Sequence, residues 1–138
     1  MINFSKISAS SSFGRFLRYC LRWLPLRATI RILQGQARGM KWIIGSGDHG
    51  YWLGSFEFNK QNRLNQFLRP GLSFFDIGAN VGFYTLLASK SVGEKGQVVA
   101  FEPNPANLYY LERHVALNNC RNVIIKPNVQ LMGRKQAV

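Results

Sequence analysis

The chain has 138 residues, 46% of them apolar and 17% charged, enough for one modest domain with a packed core and too apolar for wholesale disorder. Eighteen Lys and Arg against six acids give a formal net charge of +12, which favours anionic partners: a phosphorylated substrate, an acidic membrane surface or nucleic acid. No apolar run approaches the ~18 residues of a membrane span, and arginines interrupt the N-terminal apolar residues too often for a signal peptide, so the default location is cytoplasmic.

The charge is uneven. Residues 1–47 hold eight basic residues and no acid, and all six acids lie from Asp48 onward. Cys20 and Cys120 are a hundred residues apart, with no C-x-x-C pair and no Cys/His cluster at zinc spacing. They read as thiols in a reducing compartment, and no metal site is expected.

Residues 1–12 are serine-rich and read as a tail. From Phe13, apolar residues recur at helical spacing (Phe16, Leu17, Cys20, Leu21, Leu24), with Arg15, Arg18 and Arg22 on another face. Pro25 breaks this helix, and Thr29 to Leu33 is expected to resume it. A basic amphipathic helix over 13–33 suits either packing on the domain or contact with an anionic membrane, which would make the protein membrane-peripheral. Gly39 to Gly50 reads as a hairpin, with strand character over Met40–Ile44 and turn chemistry over Gly45–Asp48. An aromatic stretch, Tyr51 to Glu57, follows. Phe58 to Leu68 then reads as a helix with Leu64, Phe67 and Leu68 inward, ending before Pro70-Gly71.

Leu72 to Phe75 reads as a buried strand, and Asp76-Ile77-Gly78-Ala79-Asn80-Val81-Gly82 as the acid-ended glycine turn after it. Phe83 to Lys90 reads as helix. Gln97 to Phe101 is a second strand, ending in Glu102 and stopped by Pro103. Asn104 is a natural N-cap and Pro105 suits the first helical position. Leu108, Leu111 and Val115 stripe a helix to about Asn118, and Val123–Ile125 begins a third strand. The order β-α-β-α-β implies a parallel sheet of Rossmann-like, α/β class. The organisation is a tail and basic helix over 1–38, an α/β domain over 39–129 and an irregular tail over 130–138.

Two acids, Asp76 and Glu102, end adjacent parallel strands, where such sheets bind ligands. A carboxylate there can accept both hydroxyls of a ribose, and Glu102 stands 20 residues after Gly82, the usual spacing for that role. Candidate nucleotides are a dinucleotide and a smaller adenosine compound. A dinucleotide fingerprint wants G-x-G-x-x-G, whose second glycine touches the pyrophosphate, and here that position is Asn80. Asp76 also suits a cationic or neutral ligand better than a pyrophosphate. These features favour S-adenosyl-L-methionine, with its sulfonium and ammonium, over NAD and an oxidoreductase role. Nucleic-acid binding is disfavoured, since the basic residues are spread over the chain and the early aromatics fit a helix's core face. His49 falls in a turn and His114 on a helix, and neither has the neighbours of a catalytic base.

Asp76 to Gly82, Phe101-Glu102-Pro103, the asparagine-bearing helix after it, and Tyr51-Trp52-Leu53-Gly54-Ser55-Phe56-Glu57 together resemble FkbM-type class I methyltransferases over roughly residues 39–129. The resemblance implies S-adenosyl-L-methionine as cofactor and O-methylation of a hydroxyl on a sugar, polyketide or similar small molecule. It implies a cofactor site made by Asp76, Gly78, Ala79, Asn80 and Gly82 on the methionine side. Glu102 would then hold the ribose, with Pro103 and Asn104 bordering the adenine. Tyr51, Trp52 and Glu57 would close over it, although Trp52 also suits a core position. The resemblance further leads one to expect a later strand resembling I-K-I-D-V-E-G, which this sequence does not contain. The sequence therefore reads as the N-terminal half of such a domain, truncated, with little or no activity alone. Its first sheet strand, Leu72 to Phe75, would present an open apolar edge inviting association.

Overall fold

The computed structural model describes residues 25–128, and the helix expected over 13–24 lies outside them. The elements are β1 (Thr29–Arg31), β2 (Lys41–Ile43), α1 (His49–Leu53), α2 (Phe58–Phe67), β3 (Ser73–Ile77), α3 (Phe83–Val92), β4 (Gln97–Phe101), α4 (Pro105–Leu117) and β5 (Val123–Lys126). Strands β3, β4 and β5 form a parallel sheet in that order, joined by α3 and α4. This is the β-α-β-α-β arrangement that the sequence implies.

Thr29 to Leu33 does not resume a helix. It contains β1, which pairs antiparallel with β2 in the register Thr29↔Ile43, Ile30↔Trp42, Arg31↔Lys41. Two causes act locally. Arg27 adopts a left-handed backbone (φ 70°), which ends any helical run from Pro25. Thr29, Ile30 and Ile32 are β-branched, and a strand accommodates them at period two, with Ile32 fully buried. The hairpin is therefore real but its first strand lies upstream of Gly39. Gly45–Asp48 does turn, yet it leads into a helix rather than a returning strand. Asp48 caps that helix, accepting the Gly50 N–H at 2.6 Å.

Helix α2 buries Leu68 at its end and half-buries Leu64, but Phe67, expected inward, is 75% exposed. Helix α4 begins as expected: the Asn104 side chain accepts the Ala106 N–H at 2.9 Å and Pro105 occupies the first turn. The main core lies between one sheet face and helix α3, joining Trp42 and Ile32 of the hairpin region to Leu86, Leu87 and Val98. A smaller cluster of Ala79, Ala100 and Leu111 sits beneath the glycine turn.

The sheet's opposite face is bare among the described residues. In register across it lie Phe75, Val99 and Ile124, and next to them Ile77 and Phe101. Phe75 is 61% and Ile77 72% exposed. Among the described residues β3 lies at one edge of the sheet, and Leu72 and Phe75, expected in a buried strand, are exposed, Phe75 because no described element covers this face. No helix among the described residues is long and apolar enough to cross a membrane.

Candidate functional site

The glycine turn hangs from the end of β4. The N–H groups of Gly78 and Ala79 both donate to the Phe101 carbonyl at 2.9 Å. Asn80, left-handed at φ 52°, donates its N–H to Glu102 Oε2 at 2.7 Å, and its own Oδ1 accepts the Val81 N–H at 2.7 Å. The Gly82 N–H closes on the Ala79 carbonyl at 2.9 Å. Every N–H from Gly78 to Gly82 is thus used inside the protein. A pyrophosphate, which is recognised by free backbone donors in such turns, finds none here.

The two outer glycines do different work. A Cβ on Gly82 would lie 2.7 Å from Leu111 Cδ1, so Gly82 is there to let α4 pack against the start of α3. A Cβ on Gly78 would meet nothing within 4 Å, so Gly78 leaves open space at the strand ends. Both have positive φ, which a side chain would strain.

Glu102 is buried, and its two oxygens are held from both sides. Besides Asn80, the Asn104 N–H donates to Oε1 at 2.8 Å and Asn107 Nδ2 lies 3.5 Å from it. A carboxylate offers about four acceptor positions. Two strong backbone bonds fix the group and leave acceptor capacity of the kind that the hydroxyls of a ribose need. Pro103 and Asn104 are exposed beside it, at the rim.

Asp76 faces the covered side of the sheet. Its Oδ2 accepts the Thr85 hydroxyl at 2.5 Å, and the Thr85 backbone N–H also bonds to it. Gly82 has no side chain with which to cap α3, so Asp76 caps the helix from the strand. Burial pushes its pKa up; the Thr85 hydroxyl opposes this and the nearby Glu102 charge adds to it. Thr85 and Asn107 are therefore parts of the site that sequence reasoning missed. A hydroxyl nine residues after a strand-ending acid is the available signal for the first. The second is an amide one turn into a helix that starts beside Glu102.

The upstream segment divides. Trp52 is a core residue, its Nε1–H donating to His49 Nδ1 at 3.2 Å. Tyr51 packs on Phe56 and on Phe83 at the head of α3, with ring centroids 4.4 and 5.4 Å apart. Glu57, left-handed at φ 43°, accepts the Tyr84 hydroxyl at 2.8 Å and pairs with Lys60. Those hydrogen bonds, from Lys60 first and Tyr84 second, hold its carboxyl low, while burial and the Glu57 bond push Tyr84 up. Glu57, Tyr84, Asp76 and Phe75 line an open cleft of about 450 Å³ beside β3. No three His, Cys, Asp or Glu among the described residues could hold a metal ion. Cys120 is a buried free thiol, its pKa raised by burial.

Residues 76–136, from the strand-ending acid onward, match the model of the methyltransferase FkbM domain. Over that segment the chain is similar to FkbM methyltransferase domains. Solved structures with similar segments include a SAM-dependent methyltransferase from Aquifex aeolicus, 32% identical over 49% of this chain and 37% of its own, with a TM-score of 0.46. A precorrin-6Y C5,15-methyltransferase from Geobacter metallireducens is 23% identical over 59% of this chain and 42% of its own (TM-score 0.48). A fibrillarin from Aeropyrum pernix, solved with natively bound S-adenosyl-L-methionine, is 20% identical over 44% and 25% (TM-score 0.40). The chain spans 37% of the length of the Aquifex protein. Within the matched segment, Gly78, Ala79, Asn80 and Gly82 form the turn and Glu102 binds it, with Pro103 and Asn104 at the rim, while the Asp76 side chain turns to α3.

Proposed function

We propose that this chain binds S-adenosyl-L-methionine at the carboxyl ends of β3 and β4 and serves methyl transfer to a hydroxyl of a sugar or similar small molecule. The observation that carries the cofactor reading is Glu102, a buried carboxylate fixed by the Asn80 and Asn104 N–H groups beside the open space at Gly78. Glu102 would accept the ribose hydroxyls, the backbone at Gly78 would admit the methionine portion, and Pro103 and Asn104 would border the adenine. The cofactor supplies an activated methyl group. This chain's residues contribute orientation, which is the larger part of catalysing a displacement at an already activated carbon. The hydroxyl acceptor rests on the FkbM resemblance and its match over 76–136.

The test is isothermal titration with S-adenosylhomocysteine, which lacks the methyl group and keeps the adenosine and amino-acid parts. Saturable binding that Glu102→Ala abolishes, with no binding of NAD, is the expected result. A folded chain that ignores S-adenosylhomocysteine would overturn the reading.

A further inference from the structure

His114 is fully buried in α4 and takes no part in the proposed ligand contacts. Its partners define its state. The Val81 carbonyl, 2.7 Å from Nδ1, can only accept, so Nδ1 carries the proton. The Ile43 N–H, 3.0 Å from Nε2, can only donate, so Nε2 is bare. The ring stacks on Trp42 with centroids 3.9 Å apart. One neutral imidazole therefore joins β2, the glycine turn and α4.

Val81 is itself buried, and its carbonyl precedes the first helical acceptor of α3: the Leu86 N–H already goes to Gly82. Within the turn, the Val81 N–H is bound by Asn80 and the Asn80 N–H by Glu102. The Val81 carbonyl shares its peptide plane with the Gly82 N–H, which bonds the Ala79 carbonyl, so the bond from His114 fixes the plane that closes the turn holding Asn80 to Glu102.

We propose that His114 is a positioning residue for the cofactor turn, acting through the Nδ1–H to Val81 bond, with the Ile43 bond tying the turn to the N-terminal hairpin. The cofactor aspect rests on the reading of the site as one for S-adenosyl-L-methionine; the effect on the turn does not.

Two substitutions separate the bonds. His114→Asn places an amide donor near the Nδ1 position and keeps the bond to Val81. His114→Gln places its amide near Nε2 and keeps an acceptor for Ile43. Both lose the ring stacked on Trp42. Native-state amide exchange is read without ligand at Val81 and Gly82 and, as a measure of global stability, at Val98 and Val99 of the central strand. S-adenosylhomocysteine titration follows at a temperature where each variant is folded. The expected result is that His114→Gln speeds exchange in the turn by about tenfold or more beyond any change in β4, the effect of orphaning a buried carbonyl. Its affinity falls by about the same factor, while His114→Asn stays near wild type in both. If exchange in the turn follows β4 in both variants, His114 is a packing residue and the proposal is overturned. A wild-type chain that does not bind S-adenosylhomocysteine overturns the cofactor reading, and the exchange pattern still decides the role of His114. Imidazole nitrogen shifts of the wild-type protein give a measurement independent of variant folding: the Nδ1–H tautomer is required, and the Nε2–H tautomer would overturn the proposal.

Discussion

The backbone N–H of Asn80 points at Glu102 Oε2 from 2.7 Å, so the glycine turn after β3 and the acid after β4 form one hydrogen-bonded unit. This bond makes Glu102 both a structural acceptor and the candidate ribose ligand. Glu102→Gln keeps the size of the side chain but loses the charge and turns an amide NH₂ toward one of the two backbone donors. Hydrogen bonds to a charged group are worth about 1.5–3 kcal/mol each. The variant is expected to lose about 2 kcal/mol of stability and at least about tenfold in S-adenosylhomocysteine affinity. Urea unfolding and titration calorimetry check the two numbers.

The glycines offer a sharper separation of binding from folding. Gly82→Ala drives a methyl into Leu111 at a position with φ 95°, and the cost is expected to be about 2–4 kcal/mol, combining backbone strain and overpacking. Gly78→Ala meets no atom of the protein and is expected to cost only about 1–2 kcal/mol for its φ of 77°. Its methyl, however, would stand in the space that the proposed site leaves for ligand. Gly78→Ala should therefore abolish S-adenosylhomocysteine binding in a protein that still melts cooperatively, whereas Gly82→Ala should lower the melting temperature far more. Equal melting temperatures with intact binding in Gly78→Ala would contradict this division.

The parts of this structure that are legible in the sequence are those with local causes. Strand β4 and helix α4 carry their own stops and caps in Glu102-Pro103-Asn104-Pro105, and both were located closely. β1 is not among them, because Ile30 and Ile32 fit a helical stripe as well as a strand, and neither the left-handed turn at Arg27 nor the pairing with Lys41–Ile43 that completes the strand has a signature in the sequence. Phe67 differs for a similar reason: its spacing suits an inward face, yet α2 ends there and no element among the described residues covers it. The chemistry of the turn was legible as Asp76, Gly78, Asn80, Gly82 and Glu102. The roles of Thr85, Asn107 and His114 were not, since each depends on a partner brought close by folding. His114 and Ile43 are 71 residues apart in the chain.

His114 also predicts how stability responds to acid. Burial holds its pKa down to about 4; the Val81 bond opposes this shift and the Arg113 charge adds to it. The unfolded state therefore takes up a proton that the folded state refuses. Stability is full above the unfolded value of about 6.5 and falls as pH drops toward 4, by up to about 3 kcal/mol. Asp76 acts in the opposite sense. Its folded pKa is raised, so its contribution is greatest below the unfolded carboxylate value and is lost as pH rises through the folded one. Urea unfolding at pH 7, 5.5 and 4 should show a decline that His114→Asn flattens between 6.5 and 4. An unchanged slope in that variant would rule out the imidazole as its source.

The bare face of the sheet carries the last prediction. Phe75 and Ile77 stand exposed on edge strand β3, next to half-buried Val99 and Phe101, and nothing among the described residues covers them. An edge strand offers unpaired backbone donors and acceptors, and an apolar face beside it adds a hydrophobic gain to pairing. We propose that the isolated chain associates through this surface. Sedimentation velocity should show concentration-dependent association. Phe75→Lys combined with Ile77→Lys should shift the population to monomer, because charge on an edge strand disfavours pairing. Both side chains point away from the core that contains Val98 and Leu86, so the double variant should keep its melting temperature. A wild-type chain that sediments as a monomer across the concentration range and melts cooperatively would show that β3 is satisfied as an open edge.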